Sequence, residues 1–299
     1  MSATRQGDAL VRAMPGVFVV IWATGFIVAR YGMPHAPPLK FLSVRYALSV
    51  ACFLGWALLA RAAWPKGRAQ WGHLAVTGIL MHAGYLGGVW AAVKAGMGAG
   101  LAALLVGLQP VLTAFWVSSQ GGKVAARQWA GLALGLAGLL LVVWEKLGLG
   151  EVHPLNLTFA LGALLAITAG TLYQKRFVAP CDVRTANLVQ LAAAFVLTFP
   201  LALLLEAEAM RWTTAGGANW ELLGAMGWSV LGLTLGGSSL LYLLIQKGAA
   251  TTVTSLMYLV PPTTALMAWL LFREPITALT VTGVALTALG VSLVVRQKA

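Results

Sequence analysis

The stretch Gly96–Trp116, GMGAGLAALLVGLQPVLTAFW, is apolar over about a membrane's width, opens on glycines and carries Gln109-Pro110 inside it. The same figure returns at Gly248–Trp269, GAATTVTSLMYLVPPTTALMAW. Ala99 falls on Ala250, Leu108 on Leu259 and Pro110 on Pro261, each 151 residues later (261 − 110 for the prolines). Each copy is followed by a short polar turn and a further apolar span, Gly131 to Trp144 and Gly283 to Val295. There Gly131 and Gly138 fall on Gly283 and Gly290, 152 residues later. A register held across two spans, slipping by one residue in the turn between them, implies an internal duplication. The related halves are residues 1–150 and 151–299. A weaker echo aligns Gly25, Arg30 and Pro37 with Gly170, Lys175 and Asp182.

Of the 299 residues, 60% are hydrophobic and 9% charged, against about 25% charged in ordinary soluble domains. So few charges cannot cover a water-facing surface of this size, so lipid must solvate most of it. The net charge is +12, but the basic residues are scattered through short loops without a basic stripe, which excludes nucleic acid as a partner. Cys52 and Cys181 are too few for a disulfide framework and are expected as reduced thiols. With no Gly-rich phosphate loop carrying Lys and no metal-ligand cluster, no cofactor or metal is expected.

A bilayer core takes about 20 apolar residues as a helix. Ten such spans are expected, at 13–31, 39–60, 71–93, 97–118, 127–144, 155–175, 184–205, 222–245, 249–271 and 278–295. The first span follows Arg5 and Arg12 in the manner of a signal peptide. No small-residue cleavage site follows it, so it is expected to stay as the first helix. With the N-terminus in the cytoplasm, strict alternation puts thirteen Lys and Arg on the cytoplasmic side and six outside, with Arg45 inside a span. That bias sets both termini in the cytoplasm. Five helices per half then make the halves an inverted pair. The fold expected is an all-α membrane protein of ten transmembrane helices in two inverted five-helix repeats. Trp56, Trp64, Trp71, Trp144, Trp212 and Trp220 flank loops and read as an aromatic belt.

Pro110 and the pair Pro261-Pro262 break helical hydrogen bonds in mid-membrane. Kinks at matching positions of inverted repeats flank binding sites near the midplane. Gln109, beside the first kink, carries polar atoms that lipid cannot satisfy, so it should face the interior. His82 lies about ten residues into its span, with Tyr85 one turn on. It reads either as a hydrogen-bonded interior histidine or, with Tyr85 and Gly84, Gly87 and Gly88 nearby, as part of a cavity. Arg45 lies close enough to the end of its span to snorkel or to bond backbone carbonyls, which favours a structural role. The glycines of the fifth span read as close helix packing, extending to a dimer contact; those of the third and eighth read equally as packing or as room for a solute. No Asp or Glu lies deep in any span, so no membrane carboxylate is available to couple protons. Gly236-Gly237-Ser238-Ser239 matches the short pattern of intramembrane serine proteases, with His82 as a base. Such small-residue runs are frequent by chance, and ten spans in two halves are the wrong frame, so the protein is not read as an enzyme.

Trp22-Ala23-Thr24-Gly25-Phe26, Arg45-Tyr46, Leu108-Gln109-Pro110, Leu259-Val260-Pro261 and Glu274-Pro275 together resemble the drug/metabolite transporter superfamily, EamA type. The resemblance covers nearly the whole chain, and its strength lies in the order and spacing of motifs that are weak singly. It implies ten helices in two inverted repeats and export of small metabolites. Two departures stand out: Lys123 takes the place where the first repeat often has an acid like Glu274, and the second kink has two prolines where one is usual. Within the family the sequence is most similar to bacterial exporters of aromatic amino acids. The expected function is export of small organic metabolites, aromatic and other neutral amino acids among them, across the bacterial inner membrane by alternating access. The alternatives are export of drugs or quaternary amines and, in another class, a non-transporting scaffold or intramembrane enzyme. The expected partners are a small-molecule substrate and the lipid bilayer. A cavity lined by spans 1, 3, 4, 6, 8 and 9 is expected to present Trp22, His82, Tyr85, Gln109, Tyr173, Ser238, Tyr242 and Tyr258 to the solute.

Overall fold

The computed structural model describes residues 2–121, 125–237, 240 and 259–295. The chain is helical nearly throughout. Helix α1 is Ser2–Gly32 and α2 is Pro38–Leu59. The third span is a composite of α3 (Arg68–Gly78), a π-helical segment Ile79–Gly84 and α4 (Tyr85–Lys94). The fourth is broken into α5 (Ala99–Val106) and α6 (Gln109–Ser119). Helices α7 (Ala126–Gly148), α8 (Pro154–Phe177) and α9 (Val183–Leu205) follow. The connection after α9 holds a two-residue hairpin, Thr213–Thr214 against Gly217–Ala218. Then come α10 (Trp220–Gly227), a second π-helical segment Trp228–Gly237, α11 (Val260–Phe272) and α12 (Ala278–Val295).

Among the described residues, six helices or composites are long and apolar enough to cross a membrane: Pro38–Leu59, Arg68–Lys94, Ala99–Trp116, Ala126–Gly148, Pro154–Phe177 and Val183–Leu205. Gly16–Gly32, Val260–Phe272 and Ala278–Leu293 are shorter apolar helices. The six belt tryptophans are all exposed, as side chains at a membrane–water boundary would be.

The main interhelical contacts join the two sequence halves. Helix α2 packs on α9, α4 on α8, α5 on α11, and α7 on α12. Neither half buries its apolar faces alone. Glycine makes these approaches possible. A Cβ on Gly290 would stand 2.4 Å from the Gly135 nitrogen and 2.5 Å from the Gly131 oxygen. One on Gly138 would stand 2.4 Å from the Gly283 oxygen. The fifth-span glycines therefore use their small size against α12 of the same chain, as the packing reading expected. In the third span, Gly78 meets the backbone of Gln190 and Gly88 that of Phe159, so packing accounts for these two.

The loops opposite the ends of α7 and α12 near Arg127 and Leu293 are bonded into one polar layer. Lys94 Nζ donates to the Met33 carbonyl (3.1 Å) and to Glu208 (3.2 Å). His153 Nε2 lies 2.7 Å from the Ala95 carbonyl oxygen, and Arg211 N donates to the His35 carbonyl (2.8 Å). Two carboxylates in this layer cap helices from a distance. Glu206 accepts from Leu39 N (2.7 Å) and Lys40 N (2.8 Å) at the start of α2. Glu274 accepts from Ala99 N (2.9 Å) and Gly100 N (3.4 Å) at the start of α5. The first N–H groups of a helix lack internal partners and carry the positive end of its dipole, so an anion belongs there. Glu145 similarly accepts from Thr277 and Thr280 at the start of α12. At the opposite ends of the helices, Thr185 bonds the Ala63 carbonyl and Gln70 the Ala179 carbonyl. Asp182 caps α9 there. Hydrogen bonds from the Arg184 side chain hold its carboxyl below the usual range.

Candidate functional site

Two adjacent residues of α2 reach the two π-helical segments. Tyr46, fully buried, donates its hydroxyl to the His82 carbonyl in the first segment (2.8 Å). Arg45 donates from Nε (3.3 Å) and Nη2 (3.1 Å) to the Thr234 hydroxyl in the second. Thr234 in turn donates to the Ser229 carbonyl five residues earlier, a spacing that fits the widened π turn. Neighbouring positions on a helix point about 100° apart, so α2 is placed to engage both segments at once. Single π insertions in α-helices occur mostly at functional sites, because they free backbone groups and re-aim side chains.

Arg45 is 7% exposed. Among the described residues its hydrogen bonds go to a side-chain hydroxyl and not to the backbone carbonyls that the sequence had favoured. The guanidinium is near enough to Tyr46, Tyr85 and His82 to interact with each electrostatically. Tyr85 is buried. The His82 ring stands edge-on to Tyr46 at 6.1 Å and lies near the Gln190 side chain of α9. The structure thus gathers His82 and Tyr85 around Arg45, with Thr234 and Gln190 completing the cluster. Three buried hydroxyls of the flanking elements, Ser43 and Ser49 of α2 and Ser229 of the π segment, have no hydrogen-bond partner among the described residues.

The other expected residues fall into separate settings. Gln109 opens α6, and its Nε2 donates to the Thr171 hydroxyl of α8 (2.8 Å). Pro110 sits in the first turn of α6, where its missing N–H costs nothing. Pro261 sits likewise at the start of α11, with Pro262 beside it. Pro261 packs on the break of the fourth span: a Cβ on Gly107 would lie 2.8 Å from Pro261 Cγ. Trp22 is half-buried on α1 with its ring 5.4 Å from that of Phe18. Two residues on, Thr24 accepts a hydrogen bond from Trp228 Nε1 (2.8 Å), tying α1 to the second π segment. The Tyr173 hydroxyl lies 2.9 Å from His73 Nδ1 and its ring packs on Phe177. His73 precedes His82 by roughly 13 Å of helix at about 1.5 Å per residue, so this aromatic group is distinct from the Arg45 cluster. Ser238, Tyr242 and Tyr258 lie outside the described residues, as does Ser239 of the protease-like pattern.

Thr234, Gln190 and Thr171 escaped the sequence reading. Each is an uncharged polar residue in an apolar span, and Thr234 and Thr171 gain their meaning from a partner on another helix. The one usable signal was charge: a buried arginine demands polar company.

The sequence profile of the EamA-like transporter family matches residues 16–144 and 155–296. The uncharacterized inner membrane transporter YedA of Escherichia coli K12 is 28% identical over 60% of this chain and 57% of its own length. A probable amino-acid metabolite efflux pump of Salmonella typhimurium is 28% identical over 53% of this chain and 51% of its own. The chain thus spans little more than half the length of these curated relatives. The uncharacterized transporter YvbV of Bacillus subtilis is 23% identical over 92% of this chain and 88% of its own. A solved crystal structure superposes with a TM-score of 0.64 at 16% identity, covering 95% of this chain and 96% of that one, a likeness of fold alone.

Proposed function

The chain belongs to the EamA-like transporter family, and from that premise we propose that it exports small organic metabolites, aromatic and other neutral amino acids foremost, by alternating access. The observation that carries the mechanism is the contact of Gly107, at the break of the fourth span, with Pro261 of its counterpart α11. A span broken where it packs on its counterpart offers a pivot: the short segments α5 and α6 can tilt without breaking a continuous helix. The frame is ten transmembrane helices in two inverted five-helix repeats, residues 1–150 and 151–299. In its support, the family profile matches over two stretches and the spans pair across the halves as a twofold relation would require. The two composite spans with π segments are also counterparts in that scheme.

The bacterial inner membrane is the proposed location, in keeping with the relative of that description. The excess of basic residues puts both termini in the cytoplasm. On that orientation the polar layer holding Glu206 and Glu274 lies on the outer face. Trp22, His82, Tyr85, Gln109, Tyr173, Ser238, Tyr242 and Tyr258 are the proposed contacts. The amino acid specificity draws on the relative described as a probable amino-acid metabolite efflux pump and on the aromatic and neutral polar character of these side chains. The test is uptake of a labelled amino acid panel into proteoliposomes, with and without a pH gradient. Phenylalanine and other neutral amino acids should enter faster than aspartate and glutamate. A panel in which no neutral amino acid enters above protein-free vesicles refutes the proposal.

A further inference from the structure

Arginine carries five N–H donors and no acceptor, and it stays charged in proteins. The described residues give Arg45 one acceptor, the Thr234 hydroxyl, which engages Nε and Nη2. Its other neighbours are two phenols and an imidazole, none of which supplies a negative charge. Among the described residues, no carboxylate is recorded as a partner of this guanidinium; the salt bridges all involve other groups. A buried cation without a counter-charge is costly, and a protein that retains one has a use for it. The surroundings point to the same use. The guanidinium lies where both π-helical segments meet α2, and the partnerless hydroxyls of Ser49, one turn on, and Ser229, beside Thr234, belong to the elements that hold it.

We propose that Arg45 is the carboxylate anchor of the transported solute. Its planar fork, steadied by Thr234 between the two π segments, takes the solute's carboxylate in a two-point pair and so selects carboxylated solutes over amines. The assignment rests on the transport function proposed above, and it makes Arg45 a specificity-determining contact where the sequence favoured a structural one. A guanidinium pairs with a carboxylate in fixed, bidentate geometry, which a lysine ammonium does not reproduce. Tyr85 beside it offers a ring face to the body of an aromatic solute. A quaternary amine, by contrast, would meet like charge. The pair also suits alternating access, because closing water out of the site strengthens the attraction just when the solute is held.

Two measurements separate this assignment from transport itself. In the first, thermal unfolding of the purified full chain in detergent at pH 7 is followed with phenylalanine, 3-phenylpropionate or phenethylamine. Binding to the folded state raises the Tm. The two carboxylates should raise it, and phenethylamine should need at least about a tenfold higher concentration for the same rise, as expected for loss of a charged hydrogen-bonded pair. In Arg45→Gln the preference should vanish; in Arg45→Lys it should weaken. If Arg45→Gln does not fold, the wild-type comparison and Arg45→Lys decide. Equal shifts from phenethylamine and phenylalanine in the wild type, unchanged preference in either folded variant, or no shift from any carboxylate overturns the assignment. In the second, the same compounds compete with labelled phenylalanine for entry into proteoliposomes. Carboxylate binding through Arg45 without any flux would uphold the anchor and overturn the transport function; flux that phenethylamine inhibits as well as 3-phenylpropionate would do the reverse.

Discussion

Removing the Glu274 side chain should open the polar face of the protein. Glu274 reaches from the turn between α11 and α12 to the first N–H groups of α5, at 2.9 Å from Ala99 N and 3.4 Å from Gly100 N. The first is a full hydrogen bond to a charged acceptor; the second is long and adds little. Charged hydrogen bonds contribute about 1.5–3 kcal/mol when buried. Glu274 is only half-buried, so a value near that of a helix cap, about 1–2 kcal/mol, is the better guide. If this contact exists only while the face is closed, its loss shifts the closed–open equilibrium roughly tenfold, since about 1.4 kcal/mol is a factor of ten. The reporter is Ala99→Cys, a position fully buried beneath the carboxylate, in a background with Cys52→Ala and Cys181→Ala. Its labelling by an impermeant maleimide follows the open population. Adding Glu274→Ala should raise the rate roughly tenfold, and Glu274→Gln, which keeps an acceptor oxygen, by less. A rate within about twofold of the parent, with unfolding temperature unchanged, would refute the idea that this cap latches the face.

Other consequences are as definite. Gly290→Ala must push α12 off α7, because the new Cβ meets backbone at 2.4 Å and 2.5 Å; it should cost about 1–3 kcal/mol and lower the unfolding temperature. Gly162→Ala, on the exposed side of α8 with nothing within 4 Å, should be neutral or slightly stabilising. Gln109→Leu removes one interhelical hydrogen bond to Thr171, worth about 0.6 kcal/mol on average between membrane helices, so thermal stability should barely move while solute entry falls. The lowered pKa of Asp182 makes a stability contribution present above its unfolded value and lost as pH falls through its folded value. Asp182→Asn keeps a capping oxygen and loses the charge paired with Arg184, so it should cost about 0.2–1 kcal/mol at neutral pH, and the gap from wild type should close as the pH is taken below the ordinary carboxylate range.

The sequence was most informative where a local signal dictates the backbone. Apolar runs located the six helices long enough to cross a membrane, and Gly96 and Gly150 after two of them mark turns in the structure. Pro110 announced a break that the structure turns into two helices, α5 and α6. The π-helical segments Ile79–Gly84 and Trp228–Gly237 were not legible, since both read as ordinary apolar helix. A widened turn is stabilised by what packs on it, here Tyr46 on the His82 carbonyl. The hairpin at 213–218 was hidden because two exposed residue pairs leave no alternation to read. The site was half legible for the same reason. His82 and Tyr85 share one helix face and could be paired on spacing. Arg45 and Thr234 are 189 residues apart, and only the folded chain brings them together.

Counterflow tests the central claim most directly. Proteoliposomes loaded with millimolar unlabelled phenylalanine are diluted into buffer containing a trace of labelled phenylalanine. A carrier that alternates access exchanges outgoing for incoming solute, so label should accumulate transiently above its equilibrium level and then decay. The overshoot should be absent from protein-free vesicles. Entry of label that rises to equilibrium without overshoot would show a passive pore, and label no higher than in protein-free vesicles would show no transport of this solute; either contradicts export of aromatic amino acids by alternating access.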